Sequence, residues 1–309
     1  MTETLATGRH QSAASSADLC IVARDLRRTF RKRKGWFRSS ETVEAVRGIS
    51  FEIGSGEVFG LLGPNGAGKT TTVEILEGYR QPDAGEVRVL GTDPRVAGAD
   101  WRERIGVVPQ SGDLFPNLTV REHVDLFAGY YAQPRPPAEV LALVGLEHKA
   151  DAKTRTLSGG QRRRLDLGIA LVGDPELLFL DEPTTGFDPG ARRAAWEAIL
   201  SLRSLGKTIL LTTHYIEEAQ RLSDRVAVLR HGEIVAAGTP AQLTAAAPAS
   251  RISFRRNGEE VVIETEDPTR VLHDLTEEAL RDGIELEALE VHRPTLEDVY
   301  LALTEESPE

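Results

Sequence analysis

The residues Gly63-Pro64-Asn65-Gly66-Ala67-Gly68-Lys69-Thr70-Thr71 satisfy the spacing G-x-x-x-x-G-K-[ST]. An apolar run precedes them and helix-compatible sequence follows, so consecutive backbone N–H groups can curl around one anion at a helix start. In such a loop Lys69 reaches β- and γ-phosphate oxygens, and the Thr70 hydroxyl binds Mg²⁺. A glycine-rich turn before an ordinary helix is the plain alternative; strand, loop and helix patterns together weigh against it. A second group, Leu177-Leu178-Phe179-Leu180-Asp181-Glu182, ends an apolar strand in two carboxylates, at the edge where open α/β sheets bind ligands. Asp181 is suited to the Mg²⁺ shell. Glu182, one residue later and pointing elsewhere, is suited to polarise water for attack on a γ-phosphate. Read alone, the pair is also good turn chemistry. A third group, Leu157-Ser158-Gly159-Gly160-Gln161, precedes the basic run Arg162-Arg163-Arg164. Ser158 can serve as a helix N-cap, but a second Ser-Gly nest in one chain suggests a site for a neighbouring chain's nucleotide.

Positioning these groups requires a layered α/β framework. Runs rich in β-branched residues, Leu or Phe at Leu19–Ala23, Val43–Ile53, Val58–Leu62, Val87–Leu90, Ile105–Val108, Leu177–Leu180 and Ile209–Thr212 predict strands. Lys69–Tyr79, Val120–Tyr131, Gly160–Leu171, Ala191–Leu205 and Ile216–Leu222 predict helices between them. Arg225–Arg230 and Glu233–Ala237, joined through Gly232, read as a hairpin. Beyond Ala247-Pro248-Ala249-Ser250, an Asn257-Gly258 turn between Arg251–Arg256 and Glu260–Thr265 signals another hairpin. A helix at Pro268–Arg281, a strand at Ile284–Glu290 and a helix at Thr295–Thr304 complete a small α+β unit.

Composition narrows the class. In 309 residues, 40% are hydrophobic, 28% are charged and the net charge is −11, which excludes disordered, collagen-like and membrane-embedded chains. Ala241–Glu309 holds 6 basic and 17 acidic residues, so the tail carries the whole imbalance and the preceding part is neutral. The single cysteine, Cys20, suits a reducing compartment. The start lacks a signal-peptide pattern. The longest uncharged stretch, Ile234–Ser250, is broken by Gly238, Pro240 and Pro248, so no spanning helix is expected.

In this order the motifs resemble the ATP-binding subunits of ATP-binding cassette (ABC) transporters, over about residues 19 to 240. The resemblance implies a P-loop NTPase fold at residues 18–246 with a helical subdomain at about 112–172. A Ser/Ala/Thr-rich head at 1–17, read as disordered, and an acidic accessory unit at 247–309 flank it. It also implies ATP and Mg²⁺ as cofactors and assigns further roles. Phe30 stacks on adenine. Gln110, in Val108-Pro109-Gln110, touches Mg²⁺ and the attacking water and couples to the transport domain. Ser158–Gln161 is the signature, Asp188 communicates across a dimer, and His214 contacts the γ-phosphate. Each has a bland counterpart: a core aromatic, a turn glutamine, an N-cap before Pro189, a half-exposed histidine. Their joint order is what those readings leave unexplained.

Two departures stand out. Phe187 occupies a position where leucine is commoner, at an expected subunit contact. Between Phe30 and Val43 the spacing predicts a long loop, so Trp36 and Phe37 stay open as stacking residues. Residues 27–38 carry seven basic residues and no acid. This is either a solvated loop or, through Arg31–Arg38, a contact with anionic lipid. A neutral body with an acidic tail argues against nucleic acid.

The ending Arg293–Thr304 and the phrase Val46–Ile53 resemble exporter ATPases of the daunorubicin/doxorubicin-resistance type. Leu296, Val299, Tyr300 and Leu303 share one helical face, to pack on the tail's own sheet or also on a second subunit. The expectation is therefore an ATP-hydrolysing subunit, peripheral on the cytoplasmic side of the cell membrane and held by a separate multi-span permease. Two copies would sandwich ATP and drive export of a drug, antibiotic or lipid-like compound. A non-transport ABC-type ATPase and a regulatory nucleotide-binding module are the alternatives. The single Lys69 loop and the intact Lys69, Asp181, Glu182 and His214 weigh against them.

Overall fold

The computed structural model describes residues 19–34, 39–110, 112–245, 250–256, 259–292 and 294–304. An antiparallel sheet is built from β1 (Leu19–Lys34), β2 (Ser39–Gly54) and β4 (Ala84–Val89), in the order β2-β1-β4. Between β2 and β4 lie β3 (Val58–Leu62) and α1 (Lys69–Leu76). The long loop expected after Phe30 is instead a hairpin. β1 continues to Lys34 with Arg31 opposite Thr42, Lys32 opposite Glu41 and Lys34 opposite Ser39. Consecutive charged residues hide strand character, because they lack the apolar alternation that marks it. Trp36, Phe37, Gly258 and the head at 1–17 lie outside the described residues.

A six-stranded sheet forms the centre. After the short helix α2 (Ala99–Glu103), which the sequence reading missed, comes the edge strand β5 (Ile105–Val108). Next follow α3 (Val120–Ala128), α4 (Pro137–Leu143, also missed) and α5 (Gly159–Leu171), a helical insertion between two neighbouring strands. Then come β6 (Leu177–Asp181), α6 (Pro189–Ser204), β7 (Thr208–Thr213), α7 (Ile216–Leu222), β8 (Arg225–Arg230), β9 (Glu233–Gly238) and α8 (Pro240–Ala245). The sheet order is β5-β6-β7-β3-β8-β9, parallel except for β9.

Every residue of β3, β6 and β7 is buried, as non-alternating apolar runs require of strands covered on both faces. On one face Phe59, Leu61, Phe179 and Leu210 join Ile21, Leu26 and Ile53 of the antiparallel sheet. On the other, Leu178, Leu180 and Leu211 meet Leu165 of α5 and Trp196 of α6. The C-terminal edges of these strands are thereby fixed, and the loops that leave them build the site.

Helix ends follow local chemistry. α1 stops short of the expected Tyr79 because Gly78 turns left-handed at φ 74°, where a Cβ would lie 2.6 Å from the Pro94 carbonyl oxygen. α6 begins two residues earlier than its periodicity suggested, with the Asp188 carboxylate accepting from Gly190 and Ala191 N–H.

The tail forms a sheet in the order β11-β10-β12, from β10 (Ser250–Arg256), β11 (Glu259–Thr265) and β12 (Glu287–His292). α9 (Pro268–Asp282) and α10 (Leu296–Thr304) accompany it. β12 starts later than expected because Gly283 caps α9 in the left-handed region at φ 64° and the chain must turn first. The apolar face of α10 reaches the central body. Leu296 and Tyr300 join Leu62, Ala219, Val226, Val228 and Leu243, so α10 docks onto the central body. Arg230 Nη1 donates to the Leu303 carbonyl across that contact at 2.7 Å.

Candidate functional site

The Gly63–Thr71 loop is held by contacts that exclude side chains at Gly63 and Gly68. A Cβ on Gly63 would lie 2.4 Å from the Leu229 carbonyl oxygen. One on Gly68 would lie 2.2 Å from that of Ala45, and Gly68 itself sits at φ 106°. The helix that follows has no side-chain cap, which leaves its first N–H groups directed at the loop's concavity. Lys69 curls back into this loop, donating to the Gly63 carbonyl at 2.8 Å and to Pro64 at 3.2 Å.

The next strand end in space is that of β6. Thr70 Oγ1 donates to Asp181 Oδ2 at 3.1 Å, and Thr212 Oγ1 donates to Asp181 Oδ1 at 2.5 Å. Asp181 is 6% exposed, so its carboxylate points into a small polar enclave rather than to bulk water. Glu182 follows in the left-handed region at φ 48°, a conformation uncommon for a residue with a Cβ. Its N–H is tied to the Thr212 carbonyl at 3.1 Å and hydroxyl at 3.0 Å.

Four other side chains converge on the Glu182 carboxylate. Lys69 Nζ lies 3.3 Å from Oε1. Gln110 Nε2 donates to Oε2 at 3.2 Å and Thr185 Oγ1 at 3.1 Å. His214 Nδ1 is 3.3 Å from the same oxygen but out of line, so the nitrogen is near enough to feel the charge without a hydrogen bond. Burial pushes the Glu182 pKa up; the charge of Lys69, the Thr185 hydroxyl and His214 outweigh it and hold the carboxyl below its ordinary range. Glu182 is therefore ionised at neutral pH. The His214 ring also lies 4.1 Å from that of Tyr215, whose face carries the Arg192 guanidinium at 4.4 Å.

A cleft of about 400 Å³ opens here, lined by Phe30, Asn65, Lys69, Thr70, Gln110 and Glu182. Ser158–Gln161 and Asp188 do not line it. Ser158 and Gln161 close a reciprocal capping box, Gln161 N to Ser158 Oγ at 3.3 Å and Ser158 N to Gln161 Oε1 at 3.0 Å. Ser158, Gly159 and Asp188 are exposed. Phe187 is half-buried and lines an apolar hollow of its own chain with Val108, Leu180, Ala195 and Ile199.

Sequence reasoning missed Thr185, Thr212 and Arg163. Hydroxyls carry no sequence signal of their own, and Arg163 is indistinguishable from its neighbours within Arg162-Arg163-Arg164. Its guanidinium donates to carbonyls of both the Gln110 and the Glu182 segments.

A divalent cation fits the donors present. The Thr70 hydroxyl and Asp181 carboxylate are hard oxygen ligands 3.1 Å apart. No cluster of three or more His, Cys, Asp or Glu side chains suited to a metal occurs among the described residues. Such a site suits Mg²⁺, which commonly takes its remaining ligands from phosphate and water.

Comparison with known proteins decides the family. The model of the family described as "ABC transporter" matches residues 46–185. Nod factor export ATP-binding protein I of Burkholderia pseudomallei is 43% identical over 84% of this chain and 91% of its own length. The chain belongs to the ABC transporter family. It is an ATP-binding and ATP-hydrolysing subunit with the P-loop ABC ATPase fold and its helical subdomain. The ABC ATPase also resembles an ATP-binding cassette solved as a dimer in a post-hydrolysis state with ADP and Pi. That match has a TM-score of 0.62 and 27% identity over 71% of this chain and 98% of the other. A Clostridium perfringens subunit from the ABC transporter complex cbiONQ matches with a TM-score of 0.63 and 28% identity, over 74% and 92% of the two chains. The relative is named for Nod factor export, not for daunorubicin resistance. No helix among the described residues of this ABC ATPase is long and apolar enough to cross a membrane.

Proposed function

We propose that this ABC ATPase powers export of a drug, antibiotic or lipid-like compound through a separate multi-span permease, working at the cytoplasmic face as one of two copies that sandwich ATP. The convergence of Lys69, Gln110, Thr185 and His214 on the single carboxylate of Glu182 carries the mechanistic part. The export direction and the breadth of cargo follow the naming of the relative for Nod factor export; the daunorubicin-type ending supplies the drug end of that range. Residues 18–246 act as the motor, and the acidic unit at 247–309 is an accessory anchored through α10.

In this reading the Gly63–Gly68 backbone and Lys69 bind the β- and γ-phosphates, and Phe30 stacks on the base. Thr70, Asp181 and Gln110 hold Mg²⁺, which when bound offsets phosphate charge. Glu182 accepts a proton from the attacking water, a role its ionised state at neutral pH permits. Gln110 and Thr185 orient that carboxylate, and His214 holds the γ-phosphate side of the pocket. Ser158–Gln161, outside the cleft of their own chain and with Ser158 and Gly159 exposed, complete the partner copy's site. Asp188 lies at the contact between copies. The basic stretch Arg31–Arg38 is the proposed contact with anionic lipid.

Glu182→Gln tests the core of this reading. Hydrolysis should fall by about 10²–10⁴-fold, the range of general acid–base assistance. ATP should still bind, and the protein should shift to dimer on ATP addition in light scattering. Lys69→Ala and Ser158→Arg should not dimerise. A Glu182→Gln protein that binds ATP yet stays monomeric would remove the sandwich; one with full turnover would remove Glu182 as the base.

A further inference from the structure

The signature helix α5 reaches its own chain's catalytic segment through one side chain. Arg163, 11% exposed, sits one turn into α5, just after the Ser158 capping box. Its Nη1 donates to the Pro109 carbonyl and approaches that of Gln110 at 3.5 Å. Its Nη2 donates to the Asp181 carbonyl at 2.7 Å and approaches that of Glu182 at 3.4 Å, while Nε donates to Pro183 at 3.2 Å. One planar fork thus spans the backbone of two segments, the one that carries Gln110 and the one that carries Glu182. Its ion-pair partner, Asp166, stands 4.0 Å away, so backbone carbonyls hold the guanidinium more closely than a carboxylate does.

The backbone it grips is the part that needs holding. Glu182 sits at φ 48°, and such a conformation persists only where its surroundings fix it. Thr212 fixes the Glu182 N–H, and Arg163 engages the carbonyls on both sides of it. Any shift of the start of α5 is carried by this largely buried side chain, held at its planar end by backbone carbonyls, into both segments whose side chains meet at Glu182 Oε2.

We propose that Arg163 is a positioning residue that makes the placement of Gln110 and Glu182 depend on the chain's own signature helix. Seating of Ser158–Gln161 on a partner's nucleotide is thereby registered at the helix owner's hydrolytic site. This rests on the roles given above to Glu182 and to the signature. A lysine cannot replace the guanidinium, because a single ammonium cannot reach both backbone segments as a planar fork does.

The test uses the full chain with Arg163→Lys, Arg163→Gln, Glu182→Gln and the Arg163→Lys/Glu182→Gln pair. For Arg163→Lys, kcat should drop roughly 10- to 100-fold, the scale of a misplaced reacting group. KM for ATP should stay within about 3-fold, since the arginine does not itself line the cleft and reaches Gln110 and Glu182 only through their backbone carbonyls. In the Glu182→Gln background the same change should cost little more in single-turnover rate, because it acts through Glu182. Arg163→Gln, which removes the charge, should behave like the lysine variant if its thermal midpoint stays near the parent's. Parental kcat in both Arg163 variants overturns the proposal. So does a loss that adds in full to that of Glu182→Gln, or one that follows ATP affinity or folded fraction. Full turnover in Glu182→Gln alone would instead strike the reading on which the proposal rests.

Discussion

Thr184 donates its hydroxyl proton to Glu218 at 2.7 Å where neither side chain touches solvent. The indole N–H of Trp196 reaches the same oxygen at 3.0 Å, while the other oxygen is buried with no hydrogen-bond partner. This node ties the loop after Glu182 to α6 and to α7, the helix that follows His214. Glu218→Ala strands two buried donors, each worth ~1–3 kcal/mol of desolvation, so a loss of roughly 2–5 kcal/mol is expected. Glu218→Gln keeps a carbonyl oxygen for both donors and should stay within about 1 kcal/mol of the parent. Chemical denaturation of the two variants separates them. Equal losses would mean that the charge, not the hydrogen bonds, is what the node requires.

Asp166 lies three residues beyond Arg163 in α5, and burial lifts its pKa from the ordinary 3.8 to about 6 against the pull of Arg163. The folded chain thus holds a proton that the unfolded chain releases. Stability contributed by this group falls as pH rises from about 4 to about 6, and the penalty is complete above that. Asp166→Asn removes the ionisation. Its advantage in unfolding midpoint should be absent below pH 4, grow up to about 6 and then level off. Midpoints measured across that range check it, and an aspartate that outlasts asparagine at neutral pH contradicts it.

Phe187 fills a hollow of its own chain among Val108, Leu180, Ala195 and Ile199. Phe187→Leu leaves part of that hollow unfilled at a cost of about 1 kcal/mol, since the chain can partly collapse onto it. Turnover should remain within about 3-fold, because Asp188 keeps its cap on α6. Complete loss of hydrolysis would place Phe187 in a role that packing does not describe.

What the sequence made legible follows from how strictly each feature constrains residue type. A backbone nest pressed against Leu229 and Ala45 admits only glycine at positions 63 and 68, so its spacing can be read directly. Strands such as Leu177–Asp181 are legible because burial on both faces forces uninterrupted apolar residues. Arg163 was not legible, since helix phase alone decides which of three adjacent arginines turns inward. The β1–β2 hairpin was obscured by Arg31–Lys34, whose charges resemble a loop although their backbone pairs with Ser39–Thr42. The apolar face of α10 announced that it packs, but only tertiary structure could say that Leu296 and Tyr300 meet residues of α7 and α8.

Phe30 lines the cleft, and guanidiniums of Arg28 at 5.2 Å and Arg80 at 4.9 Å lie over its ring. Both cations are anchored elsewhere, Arg28 to Asp83 and Arg80 to Glu74, so the ring is framed by fixed charges. A base stacked on Phe30 gains the surface contact and polarisability of an aromatic face, which is worth ~1–3 kcal/mol and tolerates any base. Phe30→Leu should therefore weaken ATP and GTP binding alike, by roughly 5- to 150-fold. Turnover at saturating nucleotide should change little, because stacking on the base leaves the groups gathered at Glu182 in place. Phe30→Tyr keeps the face and should bind like the parent. Titration with both nucleotides on these variants, beside Trp36→Leu and Phe37→Leu, separates the candidates for stacking. Unchanged affinity in Phe30→Leu, with a loss in either of the other two, would move the base from Phe30 to Trp36 or Phe37.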